Sequence, residues 1–192
     1  MNRRIVVALI VTLSMGVGAC GGGSAATPTG PTSSAPSGPT VSSGVRDDAA
    51  MFRLVTQTDP FSRYTAFPNA EEFTTGRLNG SEAHRPVIRV SLNNTAAGVL
   101  QGGRLPVNGR FPDGSIVYKE VKTSASAATS LYVVMVKDAA NSLAGNGWLW
   151  AEYNPSGTTV FSVNNRGSAC TSCHMRERGP QNDLVRTFER QP

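Results

Sequence analysis

At 192 residues with a formal net charge of +5, the chain is about one domain long once any processed segment is removed. Arg3 and Arg4 supply part of that charge, and the remaining basic residues are scattered as single arginines. Nucleic acid needs a clustered basic patch, so it is excluded as a partner.

Residues 1–20, MNRRIVVALIVTLSMGVGAC, have the three parts of an export signal: a positive start at Arg3 and Arg4, an apolar run from Ile5 to Val17, and small residues leading into Cys20. The apolar run is shorter than the roughly 20 residues needed to span a bilayer. VGAC resembles a bacterial lipobox, so Cys20 is expected to carry the lipid of a lipoprotein held on the periplasmic side of a bacterial membrane. Residues 21–44 contain only Gly, Ser, Ala, Thr, Pro and one Val, and such a composition predicts a disordered tether. The folded domain is then expected over 45–192.

Within it, VRDDAAMFRLVTQ (45–57) spaces Val45, Ala49, Phe52 and Val55 as a helix does, with Asp47 and Asp48 in the first turn. TDPFSRYTAFPN reads as a loop packed on the core. PVIRVSLN (86–93) alternates as a strand, and NTAAGVLQGG as a short helix closed by glycines. A Pro-Asp-Gly turn leads into the strand SIVYKEVK, residues 129–138 form another, and NGWLWAEYNPSGTTVFSVN predicts a hairpin turning at Asn154 to Gly157. A last helix is expected at 180–189. Strands joined by short turns favour an α+β fold, an antiparallel sheet of about five strands with a few peripheral helices.

Near the C-terminus, ACTSCHM (169–175) holds Cys170, Cys173 and His174. Two cysteines two residues apart can reach both vinyl groups of one haem, with the adjacent histidine held under the iron as axial ligand. That chemistry takes place outside the cytoplasm, in keeping with the export signal. A thioredoxin-like dithiol would sit early, between a strand and a helix, and a zinc site needs four ligands where only His84 could join these three. A covalent haem c is the expected cofactor. Met51, Met135 and His84 are the available sixth ligands; Met135 in mid-strand reads as core and His84 as a hydrogen-bonding loop residue, which favours an open iron.

The folded domain has only three lysines, Lys119, Lys122 and Lys137. Alternation puts Lys119 on one strand face with Val117 and Val121. It is either a snorkelling edge lysine or one directed at the haem pocket.

Over residues 50–190 the ordered set VIRVSLNNTAAGVL, GRFPDGSIVYKE, YVVMVKD, GNGWLWAEY and ACTSCH, followed by Asp183 and Val185, resembles the cytochrome P-460 and cytochrome c-prime-beta family. The resemblance implies a mono-haem c-type protein on an antiparallel sheet, often a homodimer. Cys170 and Cys173 would be its attachment points, His174 its proximal ligand, and its iron would be open to small ligands such as nitric oxide. It also implies a lysine, here Lys119, that crosslinks to the haem in members oxidising hydroxylamine. Their distal acidic residue falls at Val133, in a strand with no carboxylate before Asp138. That departure argues against hydroxylamine oxidation and for an apolar gas-binding pocket, with Phe111 as a candidate cap.

The expected function is therefore a lipid-anchored haem protein binding or redox-processing small nitrogen species, served by a periplasmic redox partner. The alternatives are a plain electron-transfer cytochrome, with Met135 or His84 as sixth ligand, and a non-haem envelope lipoprotein whose CxxC forms a disulfide.

Overall fold

The computed structural model describes residues 42–67, 74–75, 84, 87–175 and 183–185, all within the unit Gly38–Pro192. The export signal, Cys20 and most of the tether lie outside the described residues.

Ser42 to Gly44, assigned to the tether by composition, are described, and two of them are fastened. The Ser43 amide and hydroxyl donate to the buried Asp138 carboxylate at 3.0 and 2.6 Å. Ser43 thus supplies donors that a buried carboxylate needs.

Helix α1 (Asp48–Arg53) starts where Asp47 accepts the Ala50 amide at 2.7 Å and continues as one π-helical turn, Leu54–Thr58. Next come β1 (Thr65–Ala66), β2 (Thr74–Thr75), β3 (Val87–Leu92), and α2 (Asn94–Ala97), capped by Asn93. Strands β4 (Ile116–Lys122), β5 (Thr129–Lys137), β6 (Trp148–Tyr153) and β7 (Thr159–Phe161) follow, and then α3 (Ser168–His174). All strand pairs are antiparallel, in the order β1-β3-β4-β5-β6-β7, with β2 pairing β3 as well. The α+β class and the antiparallel sheet hold as read from the sequence.

Both faces of the sheet are covered, which explains the nearly unbroken apolar runs of β5 and β6. One face carries Ile116, Tyr118, Val134, Val136, Leu149, Ala151 and Tyr153, packed with Met51 and Val55 from α1 and its continuation. Asp48 fixes that helix by accepting the Ser162 hydroxyl and the Val163 amide, each at 2.7 Å. The opposite face carries Val90, Leu92, Val117, Met135, Trp148 and Trp150, packed with Phe111, Leu184 and Val185; Cys170 and Met175 lie against it.

The helix expected at 180–189 is interrupted. Asp183 and Leu184 have φ of 41° and 71°, in the left-handed region that a right-handed helix does not contain. The rest of that span lies outside the described residues.

Candidate functional site

The second face can be followed in cross-strand rows. Val90, Lys119, Val133, Glu152 and Phe161 are successive partners across β3, β4, β5, β6 and β7. One step along the strands, the next row is Leu92, Val117, Met135 and Trp150; beyond it Lys137 pairs with Trp148. Lys119 and Glu152 are therefore two polar side chains in a row otherwise made of Val90, Val133 and Phe161, with Val133 between them.

Helix α3 lies against this face. Its start is tight: Arg166 and Gly167 both have positive φ, and a Cβ on Gly167 would meet Trp150 Cδ1 at 2.5 Å. A Cβ on Gly145 would meet the Arg166 carbonyl oxygen at 1.9 Å. Trp150 donates its indole N–H to the Gly145 carbonyl at 2.9 Å, and its ring meets His174 edge-on at 4.9 Å between centroids. One indole thus touches both ends of α3.

Along the helix, residues three and four apart share a face. Cys170, Cys173 and His174 have that spacing. Both cysteines are half-buried, and no disulfide joins them. His174 is buried, and its Nδ1 lies 2.7 Å from the Leu184 carbonyl oxygen. A carbonyl can only accept, so Nδ1 carries the proton and Nε2 the lone pair, the form in which a histidine ligates metal.

Burial pushes the Cys170 thiol up to about 11, with Glu152 adding to the shift and Lys119 opposing it. The Glu152 carboxyl is held above the ordinary carboxylate range by burial, against the pull of Lys119. Both effects place Cys170 in the electrostatic reach of the Lys119–Glu152 pair.

His84 completes the cluster. Its Nδ1 is 2.7 Å from Lys119 Nζ, and its ring centroid is 6.0 Å from that of His174. Among the described residues no group of three or more His, Cys, Asp or Glu side chains could hold a bare metal ion, so the zinc reading finds no fourth ligand.

The cytochrome P460 family model matches residues 71–187. The chain belongs to the cytochrome P460 family. Family membership implies a haem c cofactor, and the residues present fit one: two thiols and an oriented, buried imidazole on a single helix face. No curated protein matches the chain.

Other residues singled out in the sequence fall as follows. Met51 packs on the far side of the sheet from His174 and so cannot serve as a sixth ligand to iron held there. Met135 is on the His174 face, beside Trp150 and 5% exposed. Phe111 is buried edge-on against Trp148, and its amide donates to Asp183, next to the residue that supports His174. Val133 pairs with Lys119 on one side and Glu152 on the other.

Glu152 was missed. It lies on β6, in the same row as Val133, outside the strand in which a carboxylate was expected. The alternation in WLWAEY sets Trp148, Trp150 and Glu152 on one face and carried the signal.

Proposed function

We propose that this P460-family cytochrome holds one haem c through Cys170 and Cys173, with His174 as axial ligand, and uses it to bind or oxidise a small nitrogen compound, nitric oxide or hydroxylamine. The haem, when bound, supplies the redox-active iron. The observation that carries the reading is Glu152 in one row with Lys119 on the face against which α3 lays Cys170 and His174. A carboxylate whose affinity for protons is raised by burial can accept one from a bound hydroxylamine at its side-chain oxygens, and this replaces the expectation of a pocket without a proton acceptor. Lys119, whose Nζ is within hydrogen-bond distance of His84 Nδ1, is the amine that would form a haem crosslink. The export signal and the Cys20 motif support a lipid-anchored protein on the periplasmic side, exchanging electrons with a partner there.

Protein matured with haem-attachment machinery tests this. Haem should stay with the chain after denaturation and be lost in Cys170→Ser/Cys173→Ser, and a red-shifted ferrous band should disappear in Lys119→Ala. Haem that dissociates on denaturation would refute the attachment. A band unchanged in Lys119→Ala would remove the crosslink alone.

A second reading rests on the 6.0 Å between the His84 and His174 ring centroids, a separation at which both imidazoles would be able to ligate one iron, as in an electron-transfer cytochrome. A low-spin spectrum that turns high-spin in His84→Ala, with no response to nitric oxide, would select it.

A further inference from the structure

Away from the Lys119 row, the same face carries a second polar cluster that the proposed chemistry does not use. Lys137 Nζ lies 3.1 and 2.9 Å from the two oxygens of Asp183, and both residues are buried, at 8% and 4% exposure. The Lys137 ammonium also stands over the Trp148 ring, 4.9 Å from its centroid. Asp183 accepts the Phe111 amide at 3.0 Å and lies 3.4 Å from the exposed Arg110 guanidinium. Its own carbonyl accepts the Trp148 indole N–H at 3.1 Å. Side chain and backbone of this one residue are thus both held.

The next residue is Leu184, whose carbonyl accepts from His174 Nδ1 at 2.7 Å. Asp183 and Leu184 are consecutive left-handed residues, and neither is glycine. Such a backbone persists only where its surroundings over-determine it. The four groups that hold Asp183, together with the burial of Leu184 and Val185, supply that determination.

We propose that Asp183, clamped by Lys137, is a positioning residue for the haem's axial histidine. It fixes the left-handed turn that aims the Leu184 carbonyl at His174 Nδ1, and through that hydrogen bond it sets how strongly the imidazole donates to iron. The inference rests on His174 being the axial ligand. A firm Nδ1–H···O=C bond makes the ring a better donor and favours ferric iron; a loosened one favours ferrous.

The experiment compares the haem-loaded parent with Lys137→Met, Asp183→Asn and Lys137→Arg, reading the midpoint potential and the ferrous iron–histidine stretching band. In Lys137→Met and Asp183→Asn the potential should rise by the equivalent of a tenfold change in the ferric-to-ferrous ratio, 59 mV for one electron, and the stretching band should fall in frequency. Lys137→Arg should restore both. If a single variant does not fold, Lys137→Met/Asp183→Asn leaves no unpaired buried charge and carries the same readout. Variants that lose thermal stability but keep the parent's potential and band would overturn the proposal, leaving the pair a structural contact. A parent whose iron lacks a histidine ligand would instead overturn the axial-ligand reading, and this inference with it.

Discussion

Glu152 is the residue on which the proposed hydroxylamine chemistry depends. Glu152→Gln should lower hydroxylamine-dependent reduction of an electron acceptor by about 10²–10⁴-fold, the usual contribution of a positioned general base, while leaving covalent haem unchanged. Its protonation also has a stability signature. The folded pKa lies above the unfolded one, so the native state binds the proton more tightly and stability falls as pH rises from the ordinary carboxylate range through the raised value. Denaturant titrations across that window should show a decline in the parent that is reduced in Glu152→Gln. Tyr118 makes the opposite point on the other face. Its ring stacks on Phe61 at 4.5 Å, yet its buried hydroxyl has no partner among the described residues. Removing an unsatisfied polar atom costs little, so Tyr118→Phe should unfold in urea within about 1 kcal/mol of the parent, or above it. The cysteines and His174 were legible in the sequence because their chemistry depends on local spacing. Glu152 and the Leu184 carbonyl were not, because pairing across strands and a turn ten residues downstream bring them into place.

At the scale of elements, the strands and helix α3 differ in how they announce themselves. The main strands, β3 to β6, show in the sequence because alternation and β-branched runs report their own burial. Helix α3 does not, since Ser, Cys, Thr and His are indifferent helix formers and seven residues make a marginal helix in water. It exists because Trp150 and the backbone around Gly145 hold its start. Gly167→Ala adds a methyl where the indole stands and forces an L-residue to φ of 69°. It should cost about 2–4 kcal/mol in thermal or denaturant unfolding and reduce covalent haem on a denaturing gel. A variant with full haem and unchanged stability would show that the helix does not depend on this contact.

Across the whole molecule, the sheet separates two cores with different duties. Met51 and Met135 are both buried, one on each side. Truncating either to alanine should cost about 2–5 kcal/mol of stability. Only Met135→Ala should also alter the haem spectrum, since Met51 is screened from His174 by the sheet. The α+β class was readable because the strands follow one another through short connections. The two-sided coverage was not, because composition does not say which element turns back to cover which face. Composition is equally silent on Ser43: a serine that looks like linker supplies donors to the distant Asp138 carboxylate.

Lys137 and Asp138 are neighbours at the end of β5. Lys137 holds the segment that supports His174, and Asp138 holds Ser43. Two segments 140 residues apart in sequence are therefore moored a single residue apart on one strand. Tension applied to the chain N-terminal to Ser43 would be borne first by the Ser43–Asp138 hydrogen bonds, and once these part, the load falls on backbone adjoining the contact that holds Asp183. The point that yields first under load and the proposed support of His174 share one strand end.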